Sequence, residues 1–549
     1  MTTGRAQVGS HVAAVIRNRG LRRVLFAFGV FRPFESAQWI AILVYAYDRR
    51  GPGGIAVAAI VLLVPSAIVA PFLAHLGDAV DRERALGLGY LSQGITFGAV
   101  AIAIAMQTPD GVVLAFAAAA NIAITSTRPV HLSILPDLAT SPAELSAANS
   151  LTSTIEGIAL LVGPVIAAVG LALTGPGLVY AWGAVGLSVV GALVLMVDRR
   201  AHIGRAARAG RVGDAWEGFR ELRRRPGARL LLGFVAGETA VIGAVDALIV
   251  VLAFEVLSMG PSGPGALSAA VGVGGLVGAA GTIALVDRDR LAWPFLLGVL
   301  GVGIPLTLVA AVPGVAAAFV LLVISGMGKS VLDVTSRTLL QRGVDDDVLA
   351  RVFGVQEGLN MVALGFGASV APLLVTLLSP LSAFVVVGLL LPMAALVGLG
   401  AIGRIDRSGI VVDPMDLELL RRTPIFEPLG PMALERAGRK LVRIELPPGT
   451  VVMRQGEPGD RFYLIALGEV EVVRSGALVA HLGRGDYFGE IALLRSTTRN
   501  ATVTTTTQCS LRAMERHAFL AVMTGSPASE ATATDEMERR LAIQPPEQP

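Results

Sequence analysis

Long apolar runs alternate with short polar breaks from Leu21 to about Arg404, and this pattern is the strongest constraint on the fold. A helix that spans a bilayer needs about 20 predominantly apolar residues. Twelve segments are long enough: 22–47, 54–76, 85–107, 111–134, 146–173, 177–197, 229–257, 265–286, 291–312, 314–338, 350–378 and 381–402. Charged residues make up only 16% of the chain, against about 25% in soluble domains. We therefore predict a multi-pass α-helical protein whose main solvent is lipid.

The placement of arginine predicts the orientation of these spans. Cytoplasmic loops of membrane proteins carry an excess of Lys and Arg. Arginines crowd the N-terminal tail, the loop after the second span and the long loop 199–227, whereas the alternate loops offer little beyond Arg49 and Arg50. Both termini should then be cytoplasmic. Arg almost completely replaces Lys, and Ala and Gly are abundant, which suggests a GC-rich bacterial genome and hence a bacterial inner membrane.

The membrane part divides into two related halves. The second span of the first half ends in a polar stretch with Asp78 and Arg82, and the corresponding span of the second half ends in Asp287 and Arg288. Two six-helix repeats suit alternating access around a site at their interface. The expected organisation is a cytoplasmic tail (1–20), a six-helix bundle (21–198), a cytoplasmic amphipathic linker (199–227), a second six-helix bundle (228–404), a linker and helix (405–425) and a C-terminal domain (426–549).

Beyond Arg404 the pattern changes from long apolar runs to short β-rich runs separated by turns. The turns fall at Pro448-Gly449, Pro458-Gly459, Ser475-Gly476 and Gly483–Asp486. Short, evenly spaced strands of this kind favour a jelly roll or β-roll, here with helices on either side. Cys509 is the only cysteine, so neither an internal disulfide nor a cysteine-ligated metal is expected. The net charge of +3 gives little reason to expect a nucleic-acid partner.

The spans, the two halves and the loop after the second span together resemble the major facilitator superfamily. Asp78 and Arg82 match that family's loop pattern, whereas Ala74, Ala79 and Asp81 depart from it. The resemblance implies that Asp78, Arg82, Asp287 and Arg288 belong to a cytoplasmic gate; the alternative is that these charges only mark the cytoplasmic side. The stretches 132–138 and 144–149 look like the macrolide-efflux and lysophospholipid-transporter branch, whose varied substrates do not name a cargo.

Ionisable residues inside the spans mark a candidate transport site. An ionisable group at the bilayer centre costs ~2.5–3.5 kcal/mol even on insertion scales, so each needs a partner or a polar cavity. The groups are two pairs one turn apart, Arg32 with Glu35 and Lys329 with Asp333, and two carboxylates without such a neighbour, Glu238 and Asp246. For the two pairs, helix packing and a transport role stay open. For Glu238 and Asp246 we favour proton transfer or contact with the substrate.

The segment from Phe488 to Val503 closely resembles the phosphate-binding cassette of cyclic nucleotide-binding domains. A glycine lets the backbone approach a phosphate, and an arginine can hold it through two charge-assisted hydrogen bonds. By this resemblance Arg499 binds the cyclic phosphate and Glu490 accepts the ribose 2′-hydroxyl. The remaining residues of the implied site are Gly489, Ile491, Ala492, Asn500 and Ala501. Thr498 stands where the family usually has proline. We expect cyclic AMP, with cyclic GMP as the alternative because Asn500 matches neither common residue at its position.

The sequence therefore predicts an α-helical membrane protein of twelve transmembrane helices in two six-helix repeats, followed by a β-roll with flanking helices. The expected function is secondary transport, with a proton-coupled exporter regulated by cyclic AMP as the first interpretation. Alternatives are a nucleotide-regulated flippase for lipids or lysophospholipids and a receptor that does not transport. Its partners would be the bilayer, protons and a small-molecule or lipid cargo whose identity, like the oligomeric state, the sequence does not give. No enzyme motif and no metal site is expected.

Overall fold

The computed structural model divides into two compact units, Met1–Gly409 and Ile410–Pro549. It describes residues 15–79, 82–139, 142–196, 226–282, 291–312, 314–343, 346–408, 413–429, 431–495, 497–524, 532–533 and 535. Residues 199–225 of the expected amphipathic linker (199–227) lie outside the described residues. Asp287 and Arg288 also lie outside them.

The first unit is built from long apolar helices. They are α1 (Arg19–Ala79), α2 (Arg82–Ala105), α3 (Asp110–Leu138), α4 (Pro142–Leu173), α5 (Pro176–Leu195), α6 (Pro226–Val251), α7 (Gly263–Thr282), α8 (Ala292–Ala311), α9 (Val315–Gly343), α10 (Asp346–Leu377) and α11 (Pro380–Ser408). A π-helix, Leu252–Val256, continues α6.

Ten helices of the described residues are long and apolar enough to cross a membrane. The first of them, Arg19–Val69, joins two of the expected spans, because α1 is broken where Arg50 and Gly51 leave helical geometry. Gly51 has a φ of 60°, which glycine adopts without the steric cost that a Cβ would bring. A further apolar stretch, Asp110–Thr125, is shorter. The protein is therefore a multi-pass helical membrane protein, and the number of twelve spans stays a prediction.

Close helix contacts depend on residues that lack a side chain. A Cβ on Gly367 of α10 would overlap the carbonyl oxygen of Ala240 in α6. Between the two halves of the unit, a Cβ on Gly272 of α7 would overlap the carbonyl oxygen of Leu160 in α4. Small residues permit this approach where lipid supplies no hydrophobic drive between helices. The α4–α7 contact thus joins the two halves through backbone packing.

The second unit contains short helices around two sheets. The elements are α12 (Pro414–Arg422), α13 (Pro431–Arg439), β1 (Val442–Leu446), β2 (Val451–Met453), β3 (Arg461–Leu467), β4 (Val470–Arg474), β5 (Ala477–Leu482), β6 (Tyr487–Phe488), α14 (Glu490–Leu494), β7 (Thr502–Thr505), β8 (Cys509–Glu515) and α15 (Arg516–Thr524). One antiparallel sheet has the order β1-β8-β3-β6 and the other has the order β2-β7-β4-β5. This is the antiparallel β domain with flanking helices that the sequence predicts.

Strand β3 is buried on both faces, and alternation along it separates two hydrophobic cores. Phe462 and Leu464 belong to the core that contains the flanking helices, and the ring centroid of Phe462 lies 4.9 Å from that of Phe519 in α15. Tyr463 and Ile465 point into the core between the sheets. Because β3 begins at Arg461, this double anchoring fixes the backbone beside the candidate nucleotide site.

Candidate functional site

Gly489 forms the turn between β6 and α14. Its φ of 91° lies in the left-handed region, where a residue with a Cβ is strained. A Cβ there would also come within 2.7 Å of Nη1 of Arg499 and 2.9 Å of the carbonyl oxygen of Arg461. The position therefore requires glycine both for its backbone angle and for the space that the guanidinium occupies.

Arg499 is only 2% exposed, and protein groups hold its guanidinium in one orientation. Its Nη1 donates to the carbonyl oxygen of Gly489 over 3.0 Å, and its Nη2 donates to the carbonyl oxygen of Arg461 over 2.7 Å. Nη2 also donates to Oδ1 of Asp460 over 3.0 Å. A buried charge requires such partners. The geometry presents a preoriented cation beside the Gly489 turn.

The backbone on both sides of Arg499 is tied to the turn that precedes β3. The amide of Gly456 donates to the carbonyl oxygen of Arg499, and the amide of Arg499 donates to that of Glu457. Pro458 and Thr498 form an isolated β-bridge next to these bonds. The turn that the sequence predicts at Pro458-Gly459 thus supports the arginine. Asp460 lies at the end of this turn, and no motif in the sequence predicts its contact with Arg499.

The ring of Tyr463 lies beside the guanidinium of Arg499. Its ring stacks on Phe488 with a centroid distance of 5.1 Å, and Cζ of Arg499 lies 5.9 Å from its ring centroid. Burial, followed by the charge of Asp460, raises the pKa of Tyr463. The phenol therefore stays neutral next to the guanidinium.

The other expected nucleotide-binding residues lie along the same segment. Glu490 and Ala492 of α14 are buried, and the space for a Cβ on Gly459 is filled by Ala492. Ile491 and Asn500 are half-buried, and Ala501 is 8% exposed. The structure therefore brings the expected residues together on one short segment around Arg499.

In the membrane unit, both expected one-turn ion pairs are formed. Arg32 donates to Glu35 within α1, and Nζ of Lys329 lies 2.6 Å from Oδ2 of Asp333 within α9. The side chain of Lys329 is 27% exposed and that of Asp333 is 52% exposed. An ion pair exposed to hydrocarbon would be costly, so a pair at this position in a membrane needs polar surroundings.

Charged side chains of helix α9 also interact with the two carboxylates of α6. Lys329 interacts electrostatically with Glu238 and Asp246 as well as with Asp333. Glu238 is 3% exposed and interacts electrostatically with Asp333, while its Oε1 atom has no hydrogen-bond partner among the described residues. We call Glu238, Asp246, Lys329 and Asp333 the central charge cluster. The sequence predicts the Lys329–Asp333 pair and the two carboxylates of α6 as separate features, and it does not predict their assembly around one lysine.

Two contacts between α1 and the second half were absent from the sequence predictions. Nε1 of Trp39 donates to Oδ2 of Asp246 over 3.1 Å, next to the central charge cluster. The hydroxyl of Tyr47 donates to Oε1 of Glu255 over 2.8 Å, and its ring stacks on Phe254 with a centroid distance of 5.1 Å. For the Tyr47–Glu255 contact, the sequence signal is an aromatic residue near the end of the first span and a carboxylate near the end of the seventh.

The expected gate residues are only partly described. Asp78 and Arg82 have helical backbones, but their side chains lie outside the described residues, as do Asp287 and Arg288 entirely. Within the part of the chain that the structure describes, no three His, Cys, Asp or Glu residues are grouped as metal ligands would be.

Two family models match the chain. The Major Facilitator Superfamily model matches residues 24–356, and the model described as cyclic nucleotide-binding domain matches residues 443–526. The first match covers more than half of the chain.

Curated relatives are similar over shorter stretches. A cAMP-dependent protein kinase regulatory subunit from Schizosaccharomyces pombe is 40% identical over 18% of this chain and 25% of its own length. A cyclic nucleotide-gated potassium channel from Mesorhizobium japonicum is 36% identical over 23% of this chain and 35% of its own length. A CRP-like cAMP-activated global transcriptional regulator from Mycobacterium tuberculosis is 30% identical over 23% of this chain and 58% of its own length. The chain thus spans between a quarter and somewhat more than half of these relatives.

Proposed function

The chain belongs to the Major Facilitator Superfamily and carries a cyclic nucleotide-binding domain, and we propose from this that it is a proton-coupled exporter regulated by cyclic AMP. The observation that carries the transport role is the central charge cluster, which places three carboxylates and one ammonium inside a helical bundle. Groups so costly to bury are retained in membrane proteins chiefly for function.

The preoriented Arg499 supports nucleotide binding. A guanidinium has five N–H donors, and the contacts with Gly489, Arg461 and Asp460 account for three of them. The remaining donors can bind the cyclic phosphate, while Glu490 accepts the ribose hydroxyl. Ile491, Ala492, Asn500 and Ala501 would complete the site. Cyclic AMP is the preferred ligand because two of the relatives described above carry it in their names. Cyclic GMP is the alternative.

Glu238 is the best candidate for the transported proton. Two interacting carboxyl groups repel each other when both are ionised, so Glu238 and Asp333 are suited to share one proton. Lys329 would compensate the charge that remains when this proton leaves. Asp246 would then bind cargo or take part in proton transfer, with the Arg32–Glu35 pair lining the first half of the pathway.

Regulation requires that the nucleotide bind one transport state better than the other, because a ligand shifts a conformational equilibrium only by its differential affinity. The segment 405–425 connects the last membrane helix to the nucleotide-binding domain and is the candidate lever.

Asp78, Arg82, Asp287 and Arg288 are the candidate gate at the cytoplasmic ends of their spans. A bacterial inner membrane with both termini in the cytosol agrees with this arrangement, since cyclic nucleotides are made there.

Proton movement in proteoliposomes tests the proposal. Purified protein would be reconstituted with a trapped pH indicator and exposed to a panel of amphiphilic compounds, with or without cyclic AMP on the face that carries the nucleotide domain. We expect at least one compound to move protons in wild type and not in Glu238→Gln, with a rate that changes on adding cyclic AMP. Nucleotide binding without proton movement for any compound would support the receptor alternative, and lipid translocation without proton movement would support the flippase.

A further inference from the structure

A groove in the membrane unit lies between the first turns of α1 and helix α4. Its volume is about 410 Å³, which falls within the range of about 300–1,000 Å³ that is typical of ligand sites. Apolar residues of both helices form its wall, among them Phe26, Val30, Leu151 and Ile155. Arg22 is the one charged residue among those described in the wall. The groove therefore combines a long apolar surface with a single cation.

The groove opens toward the hydrocarbon of the bilayer. Leu151 and Ile155 continue at helical spacing into a row of exposed aliphatic residues along α4, which comprises Ile158, Val162, Val165 and Val169. Two exposed polar residues of the same part of the helix, Asn149 and Ser153, lie on the opposite face. An exposed aliphatic face of a membrane helix is the face that meets lipid. The groove is thus accessible to an acyl chain from the bilayer.

Arg22 lies at the end of the groove where the first predicted span (22–47) begins, and its side chain is exposed. Its Nη1 donates to the carbonyl oxygen of Ile16 over 3.2 Å, which fixes the guanidinium at the wall of the groove. This contact uses one of five donors, and no carboxylate of the described residues pairs with the guanidinium. Arg17 and Arg19 are also exposed and add positive charge beside it. The end of the groove is therefore suited to an anion at headgroup level.

The order of these features matches an amphiphile with a negative headgroup. Phe26 lies one turn deeper than Arg22 and is 58% exposed, so an apolar chain below the guanidinium would cover its ring. Basic pockets between membrane helices bind anionic lipid headgroups, and a guanidinium forms charge-assisted hydrogen bonds with a phosphate. A zwitterionic lipid brings its own ammonium group, which the arginines repel.

We propose that the groove between α1 and α4 binds an anionic phospholipid. Arg22 holds the phosphate, and one acyl chain lies against Phe26, Leu151 and Ile155. The bound chain fills the space between the two helices and so stabilises their packing. The site is separate from the central charge cluster and from the nucleotide site, so it depends neither on the transported cargo nor on cyclic AMP.

Lipid titration of the full-length protein, followed by native mass spectrometry in a neutral detergent, tests the proposal. Dioleoyl-phosphatidylglycerol and dioleoyl-phosphatidylethanolamine have the same acyl chains and differ in net charge. We expect the first phosphatidylglycerol to bind at least about tenfold more tightly than phosphatidylethanolamine, and sn-glycerol 3-phosphate not to displace it. Equal affinity for the two lipids overturns the proposal, and so does displacement by glycerol phosphate, which would indicate a site for a soluble anion.

Variants at the two ends of the groove separate the headgroup from the chain. Arg22→Gln should remove the preference for phosphatidylglycerol, whereas Arg84→Gln, at an exposed arginine where α2 begins, should keep it. Gly29→Leu should weaken both lipids about fivefold or more, because a Cβ at Gly29 meets only Ile155, at 4.0 Å, and the longer side chain can enter the groove. Its control is Gly233→Leu on α6, where a Cβ has nothing within 4 Å. Unchanged selectivity in Arg22→Gln or unchanged binding in Gly29→Leu would refute the assignment.

Two other occupants of the groove give different results in the same experiment. Lipid binding that appears only after residues 2–14 are deleted would assign the groove to the N-terminal tail. A dimer mass that is present in wild type and lost in Gly29→Leu would assign it to a second copy of the chain. Either result overturns the phospholipid as the occupant.

Discussion

Arg499 and Asp460 form an ion pair of unequal burial, with Nη2 and Oδ1 3.0 Å apart. The arginine side chain is 2% exposed, whereas the aspartate side chain is 69% exposed. The carbonyl oxygens of Gly489 and Arg461 hold the same guanidinium from the protein side. The orientation of the arginine therefore does not depend on Asp460, which acts as an internal anion on the solvent side of the cation.

Removing that anion should strengthen nucleotide binding slightly. Asp460→Asn leaves the two carbonyl contacts in place and removes a negative charge that competes with the cyclic phosphate. Because Asp460 is exposed and screened, we expect only about a two- to fivefold gain in affinity, which shrinks as salt is added. Calorimetric titration with cyclic AMP at low and high salt measures this. A large loss of affinity would mean that Asp460 orients the arginine.

Removing the positive charge of Arg499 should strongly weaken the binding of cyclic AMP. Arg499→Ala takes away the charge-assisted donors and should lower affinity for cyclic AMP by at least about 100-fold. The control is Arg484→Ala, an exposed arginine in the turn before β6, which should bind like wild type. Nucleotide binding by Arg499→Ala at wild-type affinity would refute the assignment of this segment as the phosphate site.

A comparison of two glycines with similar backbone angles separates the effect of backbone strain on nucleotide affinity from the effect of displacing the Arg499 guanidinium. Gly489→Ala and Gly476→Ala both place a Cβ at positive φ, 91° and 84°, and each should cost ~1–2 kcal/mol of stability. Only the Cβ at Gly489 meets Nη1 of Arg499, since that at Gly476 has nothing within 4 Å. We therefore expect Gly489→Ala to lose nucleotide affinity by about tenfold or more and Gly476→Ala to keep it. Equal affinities in the two variants would contradict the steric argument.

The helix that precedes the nucleotide-binding domain is fastened by a buried ion pair. Nε of Arg512 in β8 lies 2.6 Å from Oδ1 of Asp416 in α12, and the two side chains are 4% and 14% exposed. Removing one partner of a buried pair leaves an uncompensated charge, so Asp416→Ala should destabilise the domain by about 3 kcal/mol. Amide hydrogen exchange of β1 and β8 in the full-length protein measures this loss.

The matched control lies on the same helix. Glu418 pairs with Arg422 over 2.7 Å, but the side chains are 55% and 75% exposed, so Glu418→Ala should change stability by no more than about 0.5 kcal/mol. A similar effect of both substitutions on exchange would show that burial does not govern the Asp416 pair.

The Tyr47–Glu255 contact should favour closure between the halves at the end of the bundle where α1 is broken. Tyr47→Phe removes a hydrogen bond to a carboxylate, worth about 1–2 kcal/mol, and keeps the stacking on Phe254. We expect faster hydrogen exchange in the π-helix Leu252–Val256. Tyr45→Phe is the control because Tyr45 bonds to Asp110 within its own half. Unchanged exchange in Tyr47→Phe would indicate that the contact does not hold this end closed.

The sequence by itself determined the membrane character and the nucleotide-binding segment. A bilayer demands about 20 apolar residues for each span, and this requirement acts on each segment independently of its neighbours. The candidate phosphate-binding segment is equally local, because Gly489, Glu490 and Arg499 lie within one short stretch of chain. The pairing of Arg32 with Glu35 and of Lys329 with Asp333 was also visible from their one-turn spacing.

Tertiary structure alone decided which distant groups share an environment. Lys329 joins Glu238 and Asp246 only because α9 and α6 present those residues to each other, and no spacing along either helix encodes this. Asp460 reaches Arg499 because antiparallel pairing brings the start of β3 beside the cassette. The physical reason is common to both cases: helical and strand periodicity fixes which face of an element is polar, whereas packing between elements fixes what that face meets.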